Sequence, residues 1–174
     1  MKLRSKILIG LIGLSTIILS CEPQQNFPLE PIIQFESFSK DSIQEFDTAQ
    51  ITISFTDGDG DIGQDGISPS CPPQNICDLV SDSSCLNDPA FTLFLMDLRD
   101  SCLQLFNIPQ VLPDNREQAL EGEIKVVIPP VSCKCFPDPP GCAIDTLYYD
   151  VFIKDRAGNF SNSVRTDTVY IYCN

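Results

Sequence analysis

The sequence contains no histidine and no tryptophan. Histidine is the commonest general base and a frequent metal ligand, so its absence excludes Ser-His and Cys-His nucleophile pairs and most catalytic zinc sites. Long helical patterns are also missing, because no stretch sustains a period of 3.6 residues. These absences predict a helix-poor protein that is not an enzyme.

Basic residues are scarce. The first 20 residues hold three of the 11 lysines and arginines and none of the 24 acidic residues, so the chain from Cys21 onward carries a formal charge of −16. Such a surface repels nucleic acid and attracts cations, which excludes nucleic-acid binding. The hydrophobic fraction of 43% is that of a chain with a packed core.

The N-terminus has the layout of an export signal. Three cations within Met1–Lys6 precede the apolar run Ile7–Leu19, which is shorter than the roughly 20 apolar residues that a membrane-spanning helix needs. The run leads into Ile-Leu-Ser-Cys at 18–21, which resembles the lipobox of bacterial lipoproteins. An ordinary secreted protein with an oxidised Cys21 is the alternative.

These features predict three segments. Residues 1–20 are expected to be a lipoprotein signal peptide, after which Cys21 carries the lipid that anchors the chain in the membrane. The polar, proline-rich residues 21–31 are expected to form a flexible tether. Residues 32–174 then form one domain in the cell envelope, with the outer membrane, on its periplasmic or surface side, as the expected location.

Short segments of β-type alternation separated by turn residues fill most of this domain. They predict an all-β fold, an antiparallel β-sandwich of about seven strands. The predicted strands are Ile32–Phe38, Ala49–Thr56, Phe91–Asp97, Glu121–Ile128, Thr146–Lys154 and Val164–Tyr172.

Eight cysteines follow Cys21, and an even number in an exported chain predicts disulfide bonds. Several of them lie in Gly66–Pro89 and Val131–Ala143, two stretches without a strand pattern that are therefore predicted to be disulfide-rich loops. Structural zinc bound by three of the cysteines, 133, 135 and 142, is the alternative. The eight are Cys71, Cys77, Cys85, Cys102, Cys133, Cys135, Cys142 and Cys173.

Two motifs, together with the lipobox, carry a resemblance. Residues 55–63 read Phe-Thr-Asp-Gly-Asp-Gly-Asp-Ile-Gly, and residues 155–162 read Asp-Arg-Ala-Gly-Asn-Phe-Ser-Asn. The chain resembles bacterial envelope lipoproteins that carry an immunoglobulin-like domain, and the second motif is similar to the last hairpin of many such domains. The resemblance implies an immunoglobulin-like β-sandwich and brings no enzymatic activity with it.

The first motif places Asp57, Asp59 and Asp61 at alternate positions, so that in an extended chain their carboxylates lie on one side and repel one another. Several hard oxygen ligands in one loop favour Ca²⁺. The EF-hand pattern does not apply, because its glycine and glutamate positions are Ile62 and Ser68 here. A solvated acidic turn is the alternative.

In the implied fold, the loops that hold the two motifs lie at the same end of the sandwich. This would bring Asp155 and Asn159 near the three aspartates, so the predicted calcium site is completed by Asp65 or Asp155. Cys102 and Cys173 should gather at the opposite end and form bonds within the group that contains Cys133, Cys135 and Cys142.

The sequence thus predicts a lipid-anchored, non-enzymatic module for binding or envelope structure, with an unknown protein or glycan partner. One alternative is a calcium-stabilised adhesion or carbohydrate-binding domain with exposed aromatic rings, for which Tyr148, Tyr170 and Tyr172 are candidates. A second is a hydrolase with a pair of carboxylates such as Asp57 and Asp61.

Overall fold

The computed structural model describes residues 26–71, 83–111, 118–135 and 142–173. The predicted signal peptide, Cys21 and Cys77 lie outside this part of the chain. Within it no helix is long and apolar enough to cross a bilayer. The strands are β1 (Ile32–Phe38), β2 (Ser42–Gln44), β3 (Ala49–Asp57), β4 (Leu93–Asp97), β5 (Cys102–Phe106), β6 (Leu120–Ile128), β7 (Ile144–Leu147), β8 (Tyr149–Ile153), β9 (Val164–Arg165) and β10 (Val169–Tyr172).

The predicted all-β, immunoglobulin-like sandwich is confirmed, with ten strands in the described residues rather than about seven. One layer is the antiparallel sheet β1-β3-β6. The other contains two sheets, with orders β2-β10-β7 and β5-β4-β8-β9, in which β2 and β10 run parallel. Buried side chains from all three sheets form one hydrophobic core between the layers.

Strand β3 shows why the layers pack in this way. Its residues alternate between buried and half-buried positions along its whole length, as expected for a strand with one face on the core. The inward positions start with Ala49 and include Ile51, Ile53 and Phe55. The same parity turns Asp57, the last residue of the strand, towards the interior.

The predicted strands Thr146–Lys154 and Val164–Tyr172 are each interrupted, and this is a correction. The backbone N–H of Thr166 donates to the carbonyl of Tyr149 (2.9 Å), and the N–H of Tyr149 donates to the hydroxyl of Thr166 (2.9 Å). A side-chain oxygen therefore replaces a backbone carbonyl at this point, and the regular ladder breaks into β7 with β10 and β8 with β9.

The first cysteine-rich stretch covers the outer face of the sheet that contains β4 and β8. Its disulfide Cys71–Cys85 packs with Phe94 and Leu103 in a second hydrophobic cluster. The Nζ of the buried Lys154 donates to the carbonyls of Leu86 (2.7 Å) and Asp88 (2.9 Å). Both faces of β4 are therefore covered, which explains its nearly continuous apolar sequence.

The carboxylate of Asp88 fastens this stretch. Its oxygens accept hydrogen bonds from the N–H of Ser70 (2.7 Å), Cys71 (3.1 Å) and Ala90 (2.9 Å) and from the Ser70 hydroxyl (2.7 Å). Although desolvation opposes ionisation, these donors hold the pKa of Asp88 at about 2, below its ordinary 3.8.

The acid stability of the protein should depend on Asp88. Because its pKa is lower in the folded chain than in the unfolded chain, its contribution is complete above about pH 4 and is lost as the pH falls towards 2. The variant Asp88→Asn is expected to flatten the fall in melting temperature over this range, which calorimetry measures. Asp167→Asn, at an exposed position, is the control, and an equal effect in both variants would contradict the prediction.

The second cysteine-rich stretch lies at the end of the sandwich opposite the loop that follows β3. Cys173 pairs with Cys133, and Cys135 pairs with Cys142, as predicted for this group. The prediction for Cys102 is wrong: it is disulfide-bonded, but the four other cysteines of the group bond to one another. Their sulfurs therefore offer no thiolate for the alternative zinc site.

Candidate metal centre

The candidate centre lies where β3 ends and the glycine-rich loop begins. Asp57 has no exposed surface, because strand parity turns it inward, and Asp59 and Asp61 are half-buried. Gly60 between them has a φ of 74°, a left-handed conformation that glycine adopts without strain. The N–H of Asp61 donates to Oδ2 of Asp57 (2.9 Å), which closes the turn.

The second motif lies against this turn, which confirms that the two loops share one end of the sandwich. The backbone N–H of Arg156 donates to the carbonyl of Asp61 (3.2 Å), and the N–H of Ala157 donates to its Oδ2 (2.9 Å). A third segment also contacts the turn, because the N–H of Gln118 donates to the carbonyl of Asp59 (3.1 Å). The turn is therefore held from two sides.

The remaining carboxylate oxygens are the distinctive feature of the centre. The Oδ1 atoms of Asp57, Asp59 and Asp61 are all shielded from solvent, and none has a hydrogen-bond partner in the described part of the chain. One oxygen from each of the three carboxylates lies within 4.8 Å of the others. Burial of carboxylate oxygens without a hydrogen-bond donor costs free energy, and a bound cation would offset this cost for all three.

The electrostatics of the centre lead to the same requirement. Burial, and then the neighbouring charges of Asp59 and Asp61, raise the pKa of Asp57 to about 6. Burial, and then the charge of Asp155, raise the pKa of Asp61 to about 6. Asp57 and Asp61 therefore lack enough positive charge around them in the protein itself.

The other two predicted ligands lie outside this set of three. Asp65 is exposed, and its Oδ1 accepts from the N–H of Gln110 (3.2 Å). Asp155 is buried near Asp61, but its two oxygens accept from the N–H (2.7 Å) and the Nδ2 (2.8 Å) of Asn159. Asp155 thus contributes charge to the centre, while its oxygens hold its own loop.

Gly58, which alternates with the aspartates in the first motif, makes a contact that the sequence pattern did not predict. A Cβ built on it would lie 2.5 Å from the carbonyl oxygen of Phe27 and 2.6 Å from that of Pro28. Only a residue without a side chain permits this approach of two backbones. The alternation of glycine with aspartate was visible in the sequence, but the segment that contacts it was not.

The candidate tyrosines are placed differently from one another. Tyr170 (50% exposed) and Tyr172 (43% exposed) occupy alternate positions of β10 and so share its outer face, where Ile144 is paired with Tyr172. Tyr148 is half-buried between β7 and β8. Two of the three rings therefore form one exposed surface.

Comparison with known proteins finds no match among protein-family models, curated proteins or solved structures.

Proposed function

We propose that this chain is a lipid-anchored, non-enzymatic module of the cell envelope whose immunoglobulin-like sandwich binds calcium at its acidic end. The observation that carries the calcium site is the set of three shielded, unpartnered Oδ1 atoms of Asp57, Asp59 and Asp61. The lipobox at residues 18–21 and the apolar run before it support the anchor.

The geometry fits calcium in particular. Two oxygens that each lie about 2.3–2.6 Å from one Ca²⁺ ion can be at most about 5 Å apart, and the three carboxylates meet this limit with oxygens within 4.8 Å of one another. Calcium accepts irregular sets of carboxylates, carbonyls and water, whereas magnesium demands near-octahedral geometry. The charge of −16 on the chain from Cys21 onward also favours capture of a cation.

The same geometry argues against the hydrolase. Paired carboxylates that cleave glycosidic bonds lie about 5–5.5 Å or about 6.5–9.5 Å apart across a substrate. Asp57 has no exposed surface, and its neighbour Asp61 is already held by the N–H of Ala157. A substrate therefore has no access to the carboxylate of Asp57. A small ion between the carboxylates does not need the space that a sugar would occupy.

A second candidate function is binding of a neutral glycan. Its support is the surface formed by Tyr170, Tyr172 and Ile144, since aromatic rings offer flat apolar faces with a polar edge. The strong negative charge of the chain disfavours an anionic partner on this surface. Calcium would then stabilise the domain at its acidic end while the glycan is bound elsewhere.

The calcium site is tested by titration and melting. Isothermal calorimetry with CaCl₂ should show one binding event, and Ca²⁺ at 100 times its Kd should stabilise the domain by about 2.7 kcal/mol. This corresponds to roughly 5–10 °C in melting temperature for a domain of this size. The variant Asp57→Asn is expected to lose both effects, because it removes a charge from the buried centre of the set.

The control is Asp65→Asn, because Asp65 is exposed and lies outside the set of three. This variant should keep the heat of binding and the shift in melting temperature. If the unmodified protein shows neither heat nor a shift with CaCl₂, the acidic loop is a solvated turn and the calcium proposal is wrong.

A further inference from the structure

Gly58 joins the acidic loop to the beginning of the domain. It lies between Asp57 and Asp59. A Cβ added to Gly58 would lie 2.5 Å from the carbonyl oxygen of Phe27 and 2.6 Å from that of Pro28, so the position that a side chain would occupy is taken by these two oxygens. Its φ is not in the left-handed region, so the backbone conformation alone does not require glycine here. The requirement comes from the close contact with residues 26–31, the entry segment.

The entry segment leads directly into β1, and Phe27 within it is half-buried. Only six residue steps separate Phe27 from Cys21. A fully extended chain covers about 3.3–3.6 Å per residue, so a lipid on Cys21 would keep this contact within about 20 Å of its attachment point. The acidic end of the sandwich is therefore the end nearest the membrane in the proposed arrangement.

The ion and the entry segment use opposite sides of the same short stretch of backbone. Asp57 ends β3 with its side chain turned inward, where its Oδ1 is shielded and unpartnered. Gly58 comes next, and successive residues of an extended chain point to opposite sides. A movement of the backbone between Asp57 and Asp59 that separates their carboxylates therefore also moves Gly58 relative to Phe27 and Pro28.

We propose that binding of Ca²⁺ by Asp57, Asp59 and Asp61 fixes the entry segment against Gly58, so that the ion controls how firmly the domain is held relative to its membrane anchor. This inference rests on the proposed calcium site and lipid anchor. Without the ion, repulsion between the carboxylates favours a more open loop. In this open loop Gly58 no longer packs closely against the entry segment. Coupling of this kind is reciprocal, so the docked segment must also strengthen calcium binding.

Hydrogen exchange measured by mass spectrometry tests this coupling on the full chain in detergent micelles, where the mass of the N-terminal peptide also reports acylation of Cys21. The informative amides are those of Asn26, Phe27, Leu29 and Glu30, since Pro28 and Pro31 have none. CaCl₂ should slow their exchange at least about fivefold, the lower end of the usual range for coupled sites. MgCl₂ at equal concentration is the comparison ion.

Three variants distinguish the coupling from calcium binding itself. Asp57→Asn should make exchange of the entry segment insensitive to CaCl₂. Gly58→Ala keeps all three carboxylates but inserts a methyl group into the contact, so it should weaken calcium binding at least about fivefold by reciprocity. Gly122→Ala is the matched control, because its Cβ would meet only the side chain of Phe55, at 3.2 Å, and should leave calcium binding unchanged.

The two proposals fail in different ways. Absence of calcium binding in calorimetry would overturn both. Calcium binding with unchanged exchange in the entry segment would overturn the coupling and leave the calcium site intact. If Gly58→Ala does not fold, exchange in the unmodified protein with and without CaCl₂ still decides the question.

Discussion

Replacement of Arg99 by methionine is expected to lower the free energy of unfolding by about 3 kcal/mol, the lower end of the range for breaking a buried ion pair. Arg99 lies in the turn between β4 and β5, and its side chain is only 7% exposed. Its Nε and Nη2 donate to the two oxygens of Asp97 (3.0 and 2.7 Å), and its Nη1 donates to Asp145 (2.8 Å). The variant would leave both carboxylates without this partner.

The charges of this network depend on one another. Although burial disfavours ionisation, hydrogen bonds from Arg99 and Lys134 hold the pKa of Asp97 below its ordinary value. Desolvation of Asp145 is likewise outweighed by donors, here the backbone N–H of Lys134 and the side chain of Arg99, which lower its pKa. Lys134 also contacts Asp97 (2.8 Å) and gives this carboxylate a partner other than Arg99, which is why the lower end of the range applies.

Arg165→Met is the matched control for this prediction. Arg165 also makes a two-point contact, with Asp150 (2.8 and 3.0 Å), but its side chain is 63% exposed. Exposed pairs contribute about 0–1 kcal/mol, so this variant should have little effect. Urea unfolding of the three proteins gives the comparison, and an equal loss in both variants would show that burial of the Arg99 network is unimportant.

Removal of the Cys133–Cys173 disulfide should cost about 4 kcal/mol. In the chain-entropy description, a bond that closes a longer loop restricts the unfolded chain more strongly. This bond spans 40 residues and attaches the end of β10 to the second cysteine-rich stretch, whereas Cys135–Cys142 spans seven and should contribute about 2 kcal/mol. The order of the two effects is therefore the prediction.

The comparison uses paired replacements so that no free thiol remains. The double variant Cys133→Ser with Cys173→Ser should unfold at clearly lower urea concentration than the double variant Cys135→Ser with Cys142→Ser. The reverse order would mean that strain or residual structure, rather than loop length, determines how these bonds act on stability.

The alternation of apolar and polar residues identified the strands that bury one face in the core and expose the other. Ala49–Asp57 alternates between core and surface at every position, so its sequence records its place in the sheet. The strands β2 and β5 were not predicted. Strand β2 has only three residues, and β5 follows a short turn in which Ser101 has a φ of 60°. Such short strands depend on their neighbours for pairing, and local sequence contains little information about that.

The interruptions within Thr146–Lys154 and Val164–Tyr172 could not be predicted for a related reason. They depend on the hydroxyl of Thr166 reaching the N–H of Tyr149 on a neighbouring strand, a contact between residues far apart in sequence. The covering of the outer face by Cys71 and Cys85 likewise depends on tertiary packing. Only the nearly continuous apolar sequence of β4 indicated that both of its faces would be covered.

The candidate site was predictable only where its contacts are between neighbours in sequence. The three aspartates are neighbours in sequence, so their proximity follows from the alternation of residues 57–61. The engagement of Asp155 by Asn159 and the contact of Gly58 with Phe27 depend on the folded chain. The Arg99 network was missed entirely, because its partners Asp97 and Asp145 lie on different strands.

The covered outer face of the β4 and β8 sheet has a consequence for self-association. A second copy could stack on this sheet only after the segment around the Cys71–Cys85 disulfide had been displaced and the contacts of Lys154 with Leu86 and Asp88 broken. Face-to-face dimers through this sheet are therefore blocked by the chain itself. Face-to-face stacking of two copies is therefore left to the outer faces of the sheets β1-β3-β6 and β2-β10-β7, or to the strand edges.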